Sequence, residues 1–301
     1  MHLENLARSR GFWMALFGLL LLAAIAALVS NRSKNAPFPE EARLLATEGV
    51  AENASWQPVI RAVSGLDMAL VPAGCFVMGA TDEQLVEAQD SCDAYYGAFG
   101  CSRDFSDEQP AHEVCISAPY WIGLTAVTNR QYGSNSGPGS GSMRRQPNWP
   151  RETVTWAQAD EFCRARGLRL PREAEWEFAA RGPDALIYPW GNVYDIELAT
   201  LRKISPAPVG ERPAGASWVG ALDMAGGIAE WVTDWYGPYP AGSVTDPTGP
   251  LSGELRVARG GDWFAHAAFL VRTTFRQPLA PAYATTSVGF RCAGDFAPST
   301  P

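Results

Sequence analysis

Apolar positions along the chain fall into distinct regimes. Residues 12–29 form an unbroken run of apolar and small side chains, 18 positions without a charge, with Arg8 and Arg10 before it and Arg32 and Lys34 after it. At about 1.5 Å of rise per residue, a helix of that length nearly spans a hydrocarbon core of about 30 Å, and the run exceeds the roughly 7–15 apolar residues of a signal peptide. It predicts a transmembrane signal anchor over 12–30, with residues 1–11 as a cytoplasmic segment. A cleaved signal peptide using the small residues around Leu28, Val29 and Ser30 is the alternative. Two basic residues on each side leave the orientation undecided by charge.

Residues 31–64 hold Pro37 and Pro39 and show no strong period, which predicts a linker. From Gly65 onward the period becomes two: residues 68–79 and 112–123 alternate like strands, separated by a polar insertion rich in Asp and Ser. Antiparallel pairing of those strands brings Cys75 opposite Cys115, within reach of a disulfide. The glycines of residues 133–142 are not fed by a strand and are not closed by Lys-Ser or Lys-Thr, so they predict a surface loop rather than a phosphate cradle. Thr155 and Gln158 then form a capping box ahead of a helix that stops at Gly167. A second helix is expected from Pro171, with Glu173 and Glu175 in its first turn, to Gly182. Beyond Gly182 the chain turns rich in Gly, Pro, Trp and Tyr, the pattern of a loop-rich α+β domain. That domain is expected over residues 65–296, with a tail at 297–301.

Composition narrows the setting. The net charge of −8, from 24 Lys and Arg against 32 Asp and Glu, excludes a phosphate-backbone binder, so nucleic acid is set aside as a partner. All six cysteines follow the apolar run and none is in a CxxC spacing, which points to disulfides in an oxidising compartment. The expected location is a bacterial inner membrane, single-pass, with the folded domain on the periplasmic side. Cys92 and Cys101 lie in one loop and would close it; spacing alone leaves the remaining connectivity open.

The densest signals are blocks of specific residues. They are Val71-Pro-Ala-Gly74, Thr125-Ala-Val-Thr-Asn-Arg-Gln-Tyr132, Gly167-Leu-Arg-Leu-Pro-Arg-Glu-Ala-Glu-Trp176, Tyr188-Pro-Trp-Gly-Asn192, Glu230-Trp-Val-Thr-Asp-Trp235 and Arg259-Gly-Gly-Asp-Trp263. In this order they resemble the formylglycine-generating enzyme, or sulfatase-modifying factor, family, whose branches include one in pyoverdine maturation. The resemblance implies that family's loop-rich α+β fold, which is related to C-type lectins. It also implies a Cys163–Cys292 disulfide beside Cys75–Cys115 and Cys92–Cys101. A structural calcium ion is implied at Asp223, Gly226, Ile228 and Glu230, where hard oxygen ligands suit Ca²⁺.

The family's chemistry rests on two thiolates that bind Cu(I), and aligning through Gly260, Gly261 and His266 puts Ala265 and Leu270 at those positions. Neither side chain is a ligand, so no copper is expected. What remains nearby is Asp262, His266 and Arg272, candidates for acid–base work or for plain structural roles. The expected function is a membrane-anchored binding, scaffold or maturation factor for a membrane or periplasmic protein, without formylglycine generation. A divergent enzyme acting through Asp262 and His266 on a secreted peptide or siderophore, and a lectin-like recognition domain, are the alternatives.

Overall fold

The computed structural model describes residues 40–133, 146–201, 205–265 and 267–296. The chain divides into two units at Pro39, and the second, from Glu40, holds everything described below. The expected anchor over 12–30 lies outside the described residues. Among those residues no helix is long and apolar enough to cross a membrane.

From Glu40 onward the expected linker is part of the folded unit. Helix α1 (Glu40–Glu48) buries Ala46, whose carbonyl accepts the Ala73 N–H at 2.8 Å, and Val50 donates back to the Ala73 carbonyl at 3.1 Å. Helix-forming residues and these backbone bonds order the segment, although it is too short to show a clear period. The strands follow in chain order as β1 (Ile60–Val63), β2 (Leu66–Val71), β3 (Gly74–Met78), β4 (His112–Ile116), β5 (Tyr120–Gly123) and β6 (Ala229–Trp235). The rest are β7 (Val244–Thr245), β8 (Arg256–Arg259), β9 (Arg276–Leu279), β10 (Val288–Phe290) and β11 (Ala293–Asp295). They make three sheets, ordered β1-β2-β5-β11, β10-β6-β8-β9 and β3-β4-β7.

Both alternating runs are therefore split between sheets. Pro72 and Pro119 each lack a backbone N–H and interrupt the ladder, so the chain leaves one sheet and enters the next. The pairing β3 with β4 is antiparallel and sets Cys75 opposite Cys115. The bonds Cys75–Cys115, Cys92–Cys101 and Cys163–Cys292 are all closed, and the last ties positions 129 apart in sequence.

The polar insertion after β3 is not a loop. It is helix α2 (Asp82–Tyr96), opened by a capping box in which Thr81 accepts the Gln84 N–H and Gln84 returns to the Thr81 N–H. A single turn, α3 (Asn129–Tyr132), and α4 (Trp156–Arg164) are capped in the same way by Thr128 and Thr155. Helix α5 (Glu173–Arg181) begins two residues after Pro171 and is buried along its whole length. Its charges are tolerated because each meets a partner. Glu175 takes Arg169 in two bonds of 2.7 Å, and Glu177 takes Arg181 at 2.9 Å together with Arg259.

Candidate functional site

The segment after β8 turns sharply on Gly260 and Gly261. Gly261 has φ +66°, and a Cβ there would stand 2.3 Å from the Leu270 carbonyl oxygen, so only glycine allows the chain to fold back on itself. Asp262 then closes the turn: its Oδ1 accepts the Phe264 N–H at 2.8 Å and its carbonyl accepts the Ala265 N–H at 2.9 Å. Trp263 is pinned through Nε1 to the Thr286 carbonyl at 2.9 Å.

Ala265 sits in a buried apolar cluster with Tyr188, Leu201, Ala225 and Val271. Leu270 packs against that cluster and also against a second one, made by Ala88 and Cys92 of α2 with Phe105 and Phe269. Between this segment and α2 lies a cleft of about 70 Å³ bounded by Tyr188, Tyr194, Phe269 and Arg272. That is room for a few water molecules, not for a peptide. Arg272 is committed elsewhere: it donates to Glu108 at 2.7 Å and to Thr274 at 3.0 Å, fully inside the protein. Its ion-pair partner is thus Glu108 and not Asp262. His266 lies outside the described residues.

Beneath the segment runs a set of buried ion pairs. Arg259 pairs with Glu177 and also donates to the Thr273, Thr274 and Phe275 carbonyls. Arg276 grips Glu173 through two bonds of 2.7 and 2.9 Å. Burial alone would raise the Glu173 carboxyl, but the Arg276 and Arg259 guanidinium groups beside it bring it below the usual carboxylate range.

The four expected calcium ligands share a loop, and the two carboxylates among them are engaged within the protein. Glu230 has both oxygens taken, by Arg291 (2.8 Å to Oε1, with Nε on Oε2) and by the Trp176 Nε1–H at 2.8 Å. A divalent cation on that carboxylate would face the Arg291 charge. Asp223 instead points to Gly210, whose N–H it accepts at 2.6 Å. Burial raises the Asp223 carboxyl, against the pull of that N–H and of Arg291. Among the described residues no group of three or more His, Cys, Asp or Glu is placed to hold a metal.

A larger concavity lies elsewhere. A cavity of about 530 Å³ opens between β4, the 237–250 loop after β6 and the first turn of α5. His112, Glu173, Asp234, Tyr239 and Arg276 line it, together with four prolines of the loop. Asp234 is buried, and its carboxyl is pushed up to about 7 by that burial and by the nearby Glu173 charge. None of these was a candidate from sequence apart from Glu173 as a helix-start residue. The legible signal was the run Asp246-Pro-Thr-Gly-Pro250 after Pro238-Tyr-Pro240, which is turn chemistry able to hold a loop away from the body.

Comparison with known proteins adds to this geometry. The model of the sulfatase-modifying factor enzyme 1-like domain matches residues 57–296. A formylglycine-generating enzyme of Streptomyces coelicolor is 35% identical over 59% of this chain and 62% of its own length. The mouse protein named inactive C-alpha-formylglycine-generating enzyme 2 is 33% identical over 65% of this chain and 66% of its own length. The chain thus spans just under two thirds of each of these relatives. Among solved structures, PvdO from Pseudomonas aeruginosa superposes with a TM-score of 0.63, at 24% identity, over 77% of this chain and 95% of that one. This last likeness is one of fold.

Proposed function

The chain belongs to the sulfatase-modifying factor enzyme 1-like family, and from that premise we propose that it is a membrane-anchored binding or maturation factor that has given up formylglycine generation. The observation that carries this reading is the packing of Ala265 and Leu270. Both side chains stand where the family resemblance puts thiolates, and both are built into apolar clusters rather than facing a substrate cleft. A methyl and an isobutyl group cannot bind Cu(I) or exchange disulfides, and among the described residues every cysteine is already bonded. The name of the mouse relative, an inactive enzyme of the same family, supports the same reading for this chain.

The apolar run at 12–29 and the three disulfides support a domain held on the oxidising side of a membrane. The divergent-enzyme reading gains nothing from the described residues, because Asp262 closes its own turn and Arg272 is locked to Glu108. The lectin-like reading is no better served by a segment that buries Ala265, Ala267 and Phe269.

The test is direct. Full-length protein in detergent, supplied with Cu(I) and oxygen, is incubated with a sulfatase-type cysteine peptide and followed by mass spectrometry. The peptide is expected to keep its cysteine, and conversion to the aldehyde would end the proposal. A chromosomal deletion should lower the level or maturity of a membrane or periplasmic protein in quantitative proteomics. An unchanged proteome would remove the maturation half.

A further inference from the structure

Two side chains in the large cavity have hydrogen-bonding capacity that the fold leaves unused. His112 is 6% exposed, tilts against the Tyr239 ring at 5.1 Å, and places Nδ1 2.9 Å from the Pro110 carbonyl oxygen. A carbonyl only accepts, so Nδ1 carries a hydrogen, and in the tautomer this selects Nε2 is the acceptor. Nε2 has no hydrogen-bond partner among the described residues. Asp234 is 4% exposed, and its Oδ2 accepts the Glu173 N–H at 2.8 Å and the Thr233 hydroxyl at 2.9 Å. Those bonds explain Oδ2 as a cap on the start of α5. They leave Oδ1 without a partner among the described residues.

The other buried polar groups of the cavity are engaged, and the Thr245 and Thr248 hydroxyls stand at its exposed edge. Arg276 is held by Glu173 and by the Asp107 and Gly237 carbonyls at 2.8 and 3.0 Å, and the Tyr239 hydroxyl donates to Glu173 at 3.3 Å. The buried side chains therefore offer a ligand two acceptors, His112 Nε2 and, in the ionised form of Asp234, its Oδ1. The walls around them are apolar, Met78 and Val244 with Pro238, Pro240, Pro247 and Pro250, and the prolines restrict the loop backbone. Gly249, at φ +68°, lets the loop lie against Asp234, since a Cβ there would be 3.0 Å from both Asp234 Cβ and Oδ1.

We propose that this cavity is a binding site for a small organic amine, an apolar body carrying a primary ammonium that donates to His112 Nε2 and Asp234 Oδ1. The volume of about 530 Å³ falls in the range of small-molecule pockets. The ammonium supplies donors and a positive charge to the two acceptors, since the Arg276 charge is already taken by Glu173, whereas a carboxylate ligand would set acceptor against acceptor. The site shares no lining residue with the cleft at Arg272, so it stands independently of the lost redox chemistry.

Titration calorimetry on the full-length protein in detergent, at a pH where Asp234 is ionised and the amine still protonated, tests it with three probes of one shape: phenethylamine, phenethyl alcohol and phenylacetate. The amine is expected to bind at least about tenfold more tightly than the alcohol, and phenylacetate not measurably. His112→Leu and Asp234→Asn should each weaken the amine by about tenfold or more. Thr248→Trp, at the exposed rim, should block it while both acceptor side chains are kept. No binding of the amine, equal binding of phenylacetate, or amine binding that survives Thr248→Trp would each overturn the site. If the acceptor variants fail to fold, the probe series and the rim variant still decide.

Discussion

The two concave regions of this molecule stand on the same kind of foundation and have been finished in opposite ways. Below the 259–272 segment lies Arg259 with Glu177, and below the 237–250 loop lies Arg276 with Glu173, two neighbouring pairs rooted in one face of α5. Above the first, Ala265 and Leu270 fill the space and α2 packs across it; above the second, prolines and Gly249 keep the space open. A retained scaffold therefore says little about which of its recesses remains usable. What decides is the side-chain volume and polarity placed on top of the frame.

The strongest way to break this comparison is to attack the shared foundation. Glu177→Gln leaves Arg181 and Arg259 without their full counter-charge in a dry interior, which should cost about 3–5 kcal/mol in denaturant unfolding followed by tryptophan fluorescence. Loss of a surface pair would cost under about 1 kcal/mol, so a small effect would show that the ion pairs do not carry the frame.

A smaller effect separates the two recesses. Leu270→Ala empties part of two apolar clusters and should destabilise the protein by about 2 kcal/mol. Thr248→Ala at the rim of the open cavity should change stability by less than about 0.5 kcal/mol. Equal costs would mean that the first recess is not a packed core or that the second is not an open one.

Local chemistry made much of this legible in the sequence, and long-range geometry did not. The Thr155 capping box and the opposition of Cys75 and Cys115 are rules of nearest neighbours, and the structure has both. Helix α2 was hidden because its face is only weakly amphipathic and its composition polar, even though Thr81 and Gln84 spell the same cap as Thr155 and Gln158. The breaks at Pro72 and Pro119 could be seen, but which sheet each half joins depends on partners far along the chain. The resemblance implied Glu230 as a calcium ligand, while the Arg291 that pairs with it lies 61 positions away and left no local sign. The cavity at His112 and Asp234 joins segments more than 120 positions apart and left only its turn residues as a trace.

The finest test of the open recess is its pH dependence. The Asp234 carboxyl is raised in the folded protein to about 7, chiefly by burial and next by the charge of Glu173. This is the reverse of the usual carboxylate case. The folded state holds the proton more tightly than the unfolded chain, whose value is near 3.9, so the contribution is greatest below about pH 4 and is lost as pH rises to about 7. Glu173, held down by Arg276 and Arg259, contributes with the opposite sign at lower pH, so the readout is the difference between the native protein and Asp234→Asn. From about pH 6 to about pH 8 the native protein should lose about 1.4 kcal/mol relative to that variant, measured by denaturant midpoints. An amine in the cavity stabilises the ionised carboxylate, so saturating phenethylamine should reduce this loss. A slope identical in protein and variant would mean that Asp234 is already ionised and solvated, and the cavity would then be a wet surface groove rather than a recess with a buried acceptor.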